Sequence, residues 1–161
     1  MTRVVHWPDR LTAAPQALFA YGTLQFPEVL HALIGRMPEH RPAAVDGWRV
    51  AGLPGRDYPG LVPGPARAAG LLLRGLSDAE WRVLDAFEDE WYDLRELILT
   101  DGGTAWCYTC PSGYRVSELD WTAEVFSRAS LGGFVESSAA WRSTLDQGMT
   151  GQGMTGQEST G

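Results

Sequence analysis

Lysine and asparagine are absent from the 161 residues. All 13 basic residues are arginine. That excludes a Schiff-base amine, a pyridoxal anchor and a phosphate-loop lysine together. Without asparagine there is no acceptor for N-glycosylation. No apolar run reaches the roughly 20 residues that span a bilayer. The opening stretch MTRVVHWPDRLTAAPQ has no apolar core of signal-peptide length. A cytoplasmic protein without a membrane partner is the expectation. Positive charge is in the minority, and the formal net charge of −7 gives no electrostatic footprint for phosphate backbones. No nucleic-acid partner is expected.

Cysteine is scarce. Cys107-Tyr108-Thr109-Cys110 is a lone CxxC within a strand pattern. Residues three apart on a strand face opposite sides, so the pair is poorly placed to chelate a metal. A redox CxxC opens a helix, whereas this one runs into Pro111-Ser112-Gly113. Both thiols read as structural. His6, His31 and His40 are scattered without ligand spacing, and no G-x-S-x-G elbow occurs. No metal site and no cofactor are expected.

What is present describes one ordinary globular domain: 44% hydrophobic and 20% charged residues over a length that suits a single core. Residues 1–15 read as a lead-in, 16–146 as the domain, and 147–161 as a disordered tail. The tail repeats QGMTG, QGMTG, QESTG, residues too small and polar to offset chain entropy by burial. Gln16–Tyr21 reads as a strand and GTLQF as a turn. The segment PEVLHALI is a helix, with Pro27 at its first position and Gly35 at its stop. Ala43–Leu53 reads as a strand interrupted at Gly47. The Pro- and Gly-dense PGRDYPGLVPGP reads as loop or short edge strand, and Ala69–Arg74 as a buried strand. Ser77 and Glu80 form a capping box for the next helix. Asp93–Thr100 and Thr104–Cys110 flank Asp101-Gly102-Gly103 as a hairpin. Asp120–Leu131 reads as a helix that Gly132-Gly133 breaks or bends before Phe134–Leu145. Short strands with helices out of strict alternation predict an α+β fold with a curved, barrel-like sheet.

Two stretches point to chemistry. In Phe19-Ala20-Tyr21-Gly22-Thr23-Leu24 a strand ends in a glycine turn before a helix. Such a turn leaves main-chain N–H groups available as an anion nest, although the same residues also suit an ordinary strand-to-helix turn. In Leu84-Asp85-Ala86-Phe87-Glu88, Glu88 shares a helix stripe with Trp81 and Leu84 at i, i+3 and i+7. A carboxylate at the core's edge is partly desolvated, which raises its pKa toward that of a general base. The alternative is a structural carboxylate paired with Arg95 or Arg115. Asp85, Asp89 and Glu90 read as solvated residues near the helix end.

Taken together, the motifs resemble the gamma-glutamylcyclotransferase-like family. Tyr21-Gly22-Thr23-Leu24 is similar to its opening motif, and Leu84–Glu88 followed by Tyr92 to its acid/base motif. Between them, Tyr58-Pro59-Gly60-Leu61 resembles its Tyr-Pro segment and Ala69-Gly70-Leu71-Leu72 its glycine-led strand. The four occur in family order over residues 17–110. The helices from Trp121 to Trp141 are similar to those of its avirulence-induced plant branch. The resemblance implies a small mixed β-barrel flanked by helices, with a cavity at its mouth. It implies that Tyr21, Gly22, Thr23 and Leu24 hold a small γ-glutamyl substrate by main-chain N–H groups. Glu88 would serve as the acid/base and Tyr92 would shape or hydrogen-bond the site, with release of 5-oxoproline. Family members place a basic residue shortly after the motif tyrosine. Here Arg95 lies three residues after Tyr92, and no role is assigned to it. A module that binds a small carboxylate or amine without turning it over would use the same cavity.

Overall fold

Strand β2 (Ala17–Ala20) lies between partners of opposite sense in the computed structural model, which describes residues 3–5, 16–89 and 91–158. It runs antiparallel to β4 (Pro59–Arg74) and parallel to β6 (Thr104–Thr109). β6 pairs with β5 (Asp93–Ile98), β5 with β1 (Arg3–Val5), and β4 with β3 (Glu39–Gly52). The result is one mixed six-stranded sheet in the order β1-β5-β6-β2-β4-β3. Among the described residues four α-helices accompany it: α1 (Pro27–Ile34), α2 (Asp78–Glu88), α3 (Ala123–Ala129) and α4 (Leu131–Glu158). The fold class is α+β, as expected. The sheet is curled but not closed, so "barrel" describes its curvature only. Part of the curl is held where the Thr100 amide donates to the Ala44 carbonyl of β3 at 2.9 Å.

Side-chain alternation explains why both faces of the central strands are apolar. Leu18 and Ala20 of β2, Leu73 of β4, and Trp106 and Tyr108 of β6 face α1 and α2, packing with Val29, Leu30, Leu33, Trp81 and Leu84. Phe19, Tyr21, Leu72, Ala105 and Cys107 point the other way, into the curl, where they meet Val45, Leu61 and Ala68 of the β3–β4 ribbon.

The ribbon departs from the sequence reading. PGLVPGP belongs to a 16-residue strand, and β3 starts before Pro42. The prolines are tolerated because β2 pairs only with Leu71–Arg74 of β4, leaving the earlier part of the strand less constrained. Between Asp46 and Trp48 the register shifts, and Gly47 takes a φ of 84° as the irregularity absorbs residues 64–66 of β4.

Three boundaries also differ. Of the predicted lead-in, Arg3–Val5 is strand β1, and residues 6–15 lie outside the described residues. The helical break falls at Ser130, which closes α3 and whose carbonyl accepts from Phe134 N at 2.9 Å, so Gly132 and Gly133 sit inside the first turn of α4. α4 itself continues through the repeat to Glu158, where composition predicts disorder from Gln147. Extending a helix already formed avoids the cost of nucleating one.

Candidate functional site

The bend after β2 is built by close approach. At Gly22 a Cβ would lie 2.9 Å from Cγ of Pro59, so only glycine lets the main chain rest on that ring. A second close approach fixes where β2 ends: a Cβ at Gly70 would lie 2.2 Å from the Ala20 carbonyl oxygen. Thr23–Gln25 then forms a 3-10 turn, with Gln25 N donating to Gly22 O at 3.2 Å and Phe26 N to Thr23 O at 3.3 Å. The first amides of such a turn have no partner within it. Tyr21 is pinned from both sides, its carbonyl accepting from Gln25 Nε2 (2.8 Å) and its hydroxyl donating to Tyr108 O (2.5 Å).

α2 supplies the carboxylate. Its start is set by the predicted capping box: Ser77 Oγ accepts from Glu80 N, and Glu80 accepts from Ser77 N. Its inner stripe buries Trp81 and Leu84 and brings Glu88, half-buried at the last helical residue, to the cavity wall. The next residue, Asp89, is the one non-glycine among the described residues at positive φ (63°). That conformation costs about 1–3 kcal/mol and turns the chain directly behind Glu88 toward Trp91 and Tyr92.

These elements enclose a cavity of about 530 Å³, lined by all six residues that the resemblance implicates: Tyr21, Gly22, Thr23, Leu24, Glu88 and Tyr92. The Tyr21 and Tyr92 phenols, and the Cys107 thiol in the core behind them, are shifted in part by the Glu88 charge. Burial pushes the Tyr21 phenol well above its ordinary value, with Tyr92, Cys107 and Glu88 adding to the effect. Tyr92 is raised by burial and then by the charge of Glu88, and Cys107 by the same two causes. Tyr92 is 7% exposed, and its hydroxyl donates to the Pro59 carbonyl at 2.8 Å.

Other residues stand where sequence reasoning does not place them. Asp85 is 3% exposed rather than solvated, and accepts from the Tyr108 hydroxyl at 2.8 Å. Glu90 lies outside the described residues. Arg95 is not among the residues lining the cavity; its guanidinium donates to Thr109 Oγ1 (3.0 Å) and Asp93 Oδ2 (3.4 Å). Cys107 and Cys110, by contrast, are free and buried, in keeping with their reading as structural thiols. Phe134, Ser137, Ser138 and Trp141 of α4 form a wall, with Phe87 edge-on to Phe134 (6.0 Å) and Trp141 (5.1 Å). Their i, i+3, i+4, i+7 spacing is a readable stripe. Arg56 lies in the lining too, and no periodicity marks it.

Comparison with known proteins agrees with the α+β fold. The family model "Gamma-glutamyl cyclotransferase, AIG2-like" matches residues 18–123. AIG2-like protein C of Arabidopsis thaliana is 44% identical over 87 residues, covering 52% of this chain and 51% of that protein. AIG2-like protein D of the same plant is 32% identical over 93 residues, covering 56% and 61%. The chain thus spans about half the length of the curated relatives it matches. The solution structure of At5g39720.1 from Arabidopsis thaliana superposes with a TM-score of 0.59 at 26% identity, covering 76% of this chain and 87% of that one. That of At3g28950.1 gives 0.56 at 23% identity, covering 86% of each, and supports the fold alone. With the motifs, the fold and the matched span in agreement, the chain belongs to the gamma-glutamyl cyclotransferase, AIG2-like family.

Proposed function

We propose that the protein is a gamma-glutamylcyclotransferase acting on a small γ-glutamyl amide. The observation supporting this is that the half-buried Glu88 and the Tyr21–Leu24 bend line one cavity. The substrate's γ-carbonyl oxygen or α-carboxylate rests on the main-chain N–H groups of the bend. Glu88 takes a proton from the substrate's α-amino group. The amine nitrogen then attacks its own γ-carbonyl carbon, forming the ring C–N bond. As the original amide C–N bond breaks, Glu88 returns the proton to the departing nitrogen. The products are 5-oxoproline and a free amine or amino acid, and the chemistry needs no metal or cofactor.

The attack is intramolecular, so positioning can supply a large part of the rate: effective molarities in well-oriented cases reach about 10⁵ M or more. A main-chain donor aimed at the developing oxyanion contributes roughly 3 kcal/mol. Tyr58, Phe87, Trp91, Phe134 and Trp141 line the cavity, and shielding of the reacting groups from water by such walls strengthens both effects.

The test is mass-spectrometric detection of 5-oxoproline from a library of γ-glutamyl amino acids, γ-glutamylamines, isopeptide fragments and γ-glutamyl-protected intermediates. Release of 5-oxoproline from at least one supports the reading. Thermal stabilisation by library members without product identifies a binding module instead.

A further inference from the structure

The loop between β3 and β4 brings Arg56 into the cavity lining, where it is the one cation among the described lining residues. Its guanidinium carbon lies 5.4 Å from the Tyr58 ring centroid and 5.7 Å from that of Trp91. Arg56 Nη1 donates to the Tyr58 hydroxyl. Trp91 is itself braced edge-on by Tyr92 (4.6 Å) and Tyr114 (4.9 Å). These contacts hold the guanidinium beside both rings before any ligand arrives. With five N–H donors available, it keeps enough free to meet a planar acceptor bidentately. Among the described residues no carboxylate forms an ion pair with it.

Position decides which acceptor. Arg56 is on the exposed side of the lining, whereas Glu88 and the bend are half-buried or buried. In the cyclisation reading, on which this inference rests, the γ-glutamyl unit occupies the inner part because its amine and carbonyl must reach Glu88 and the bend. The group nearest solvent is the departing amine. We infer that Arg56 is a specificity residue that reads a carboxylate on the leaving amine, so that the protein selects γ-glutamyl amino acids over γ-glutamyl compounds whose leaving amine is uncharged.

Three ligands that differ little beyond that carboxylate test this: γ-glutamyl-alanine, γ-glutamyl-alaninamide and γ-glutamyl-ethylamide. Binding is measured by calorimetry on Glu88→Gln, which reads recognition apart from turnover. The expected result is an affinity for γ-glutamyl-alanine about tenfold above that for the two neutral ligands. That preference is lost in Glu88→Gln/Arg56→Gln and partly kept with Arg56→Lys. Circular dichroism of the Arg56 variants, altered at an exposed loop position, should match the parent. Equal affinity for the three ligands, a preference that survives Arg56→Gln, or no binding of γ-glutamyl-alanine overturns the inference. A wild-type assay for 5-oxoproline separates the two ideas. Carboxylate-dependent binding without 5-oxoproline sinks cyclisation and leaves the role of Arg56 standing, whereas equal turnover of charged and neutral substrates does the reverse.

Discussion

The Tyr92 hydroxyl donates to the Pro59 carbonyl at 2.8 Å, and the Pro59 ring occupies the space that a side chain at position 22 would need. The segment following α2 thereby steadies the surface on which the bend rests. Tyr92→Phe removes the donor and leaves a buried carbonyl unsatisfied. The expected cost is about 1–2 kcal/mol in urea unfolding, with a severalfold lower kcat/KM as the bend loosens. Unchanged stability would place no weight on the bond.

Two glycines should answer alanine in opposite senses. At Gly70 the new Cβ meets the Ala20 main chain at 2.2 Å, and neither strand can move without losing its ladder. Gly70→Ala should cost about 3 kcal/mol and disturb the end of β2. Gly132, in the first turn of α4, has open space around it. Gly132→Ala should stabilise the protein by about 0.5–1 kcal/mol, measured in the same urea titration.

Local signals reached far in this chain. Pro27, Gly35, Ser77 with Glu80, and Asp101-Gly102-Gly103 mark the starts, stops and turns of α1, α2 and the β5–β6 hairpin, because each encodes its structure through its own backbone chemistry. The residues that line the cavity from Tyr21 to Tyr92 were legible through motif order. What escaped is tertiary. Proline-rich PGLVPGP is strand because β3 supplies its partner, a pairing that no residue in the segment announces. Asp85 is buried because Tyr108, 23 residues away, donates to it. Arg56 enters the cavity only because the long ribbon places its connecting loop there.

Acid should weaken the junction of α1 and α2. Arg36 donates to both oxygens of Glu80, at 2.7 and 2.6 Å. The Arg36 guanidinium, with help from Ser77, holds the Glu80 carboxyl below its ordinary value of 4.5. A folded-state value below the unfolded one means that the contribution is present above about pH 4.5 and fades as pH falls through the folded value. The urea midpoint should drop on acidification through that window. Glu80→Gln, which keeps the capping box, should flatten that part of the profile. An identical acid response in the variant would assign the loss to other carboxylates.

Neither thiol should behave as a reagent. Burial holds the Cys107 thiol well above its ordinary value, with Glu88 adding to it, and burial raises Cys110 as well. Titration of the native protein with an aromatic disulfide at pH 8 should find both slow, and urea should release the full reactivity of two thiols. Rapid modification of native Cys107 would contradict its placement in the core.

The central proposed step is proton transfer by Glu88 inside the cavity. Steady-state 5-oxoproline release by wild type and Glu88→Gln, on whichever γ-glutamyl compound the wild type turns over, tests it directly. The amide keeps the side chain's shape but cannot accept and return the proton, so kcat should fall by about 10²–10⁴ while thermal stability stays near that of wild type. A Glu88→Gln protein that retains the wild-type kcat would contradict the proposed chemistry.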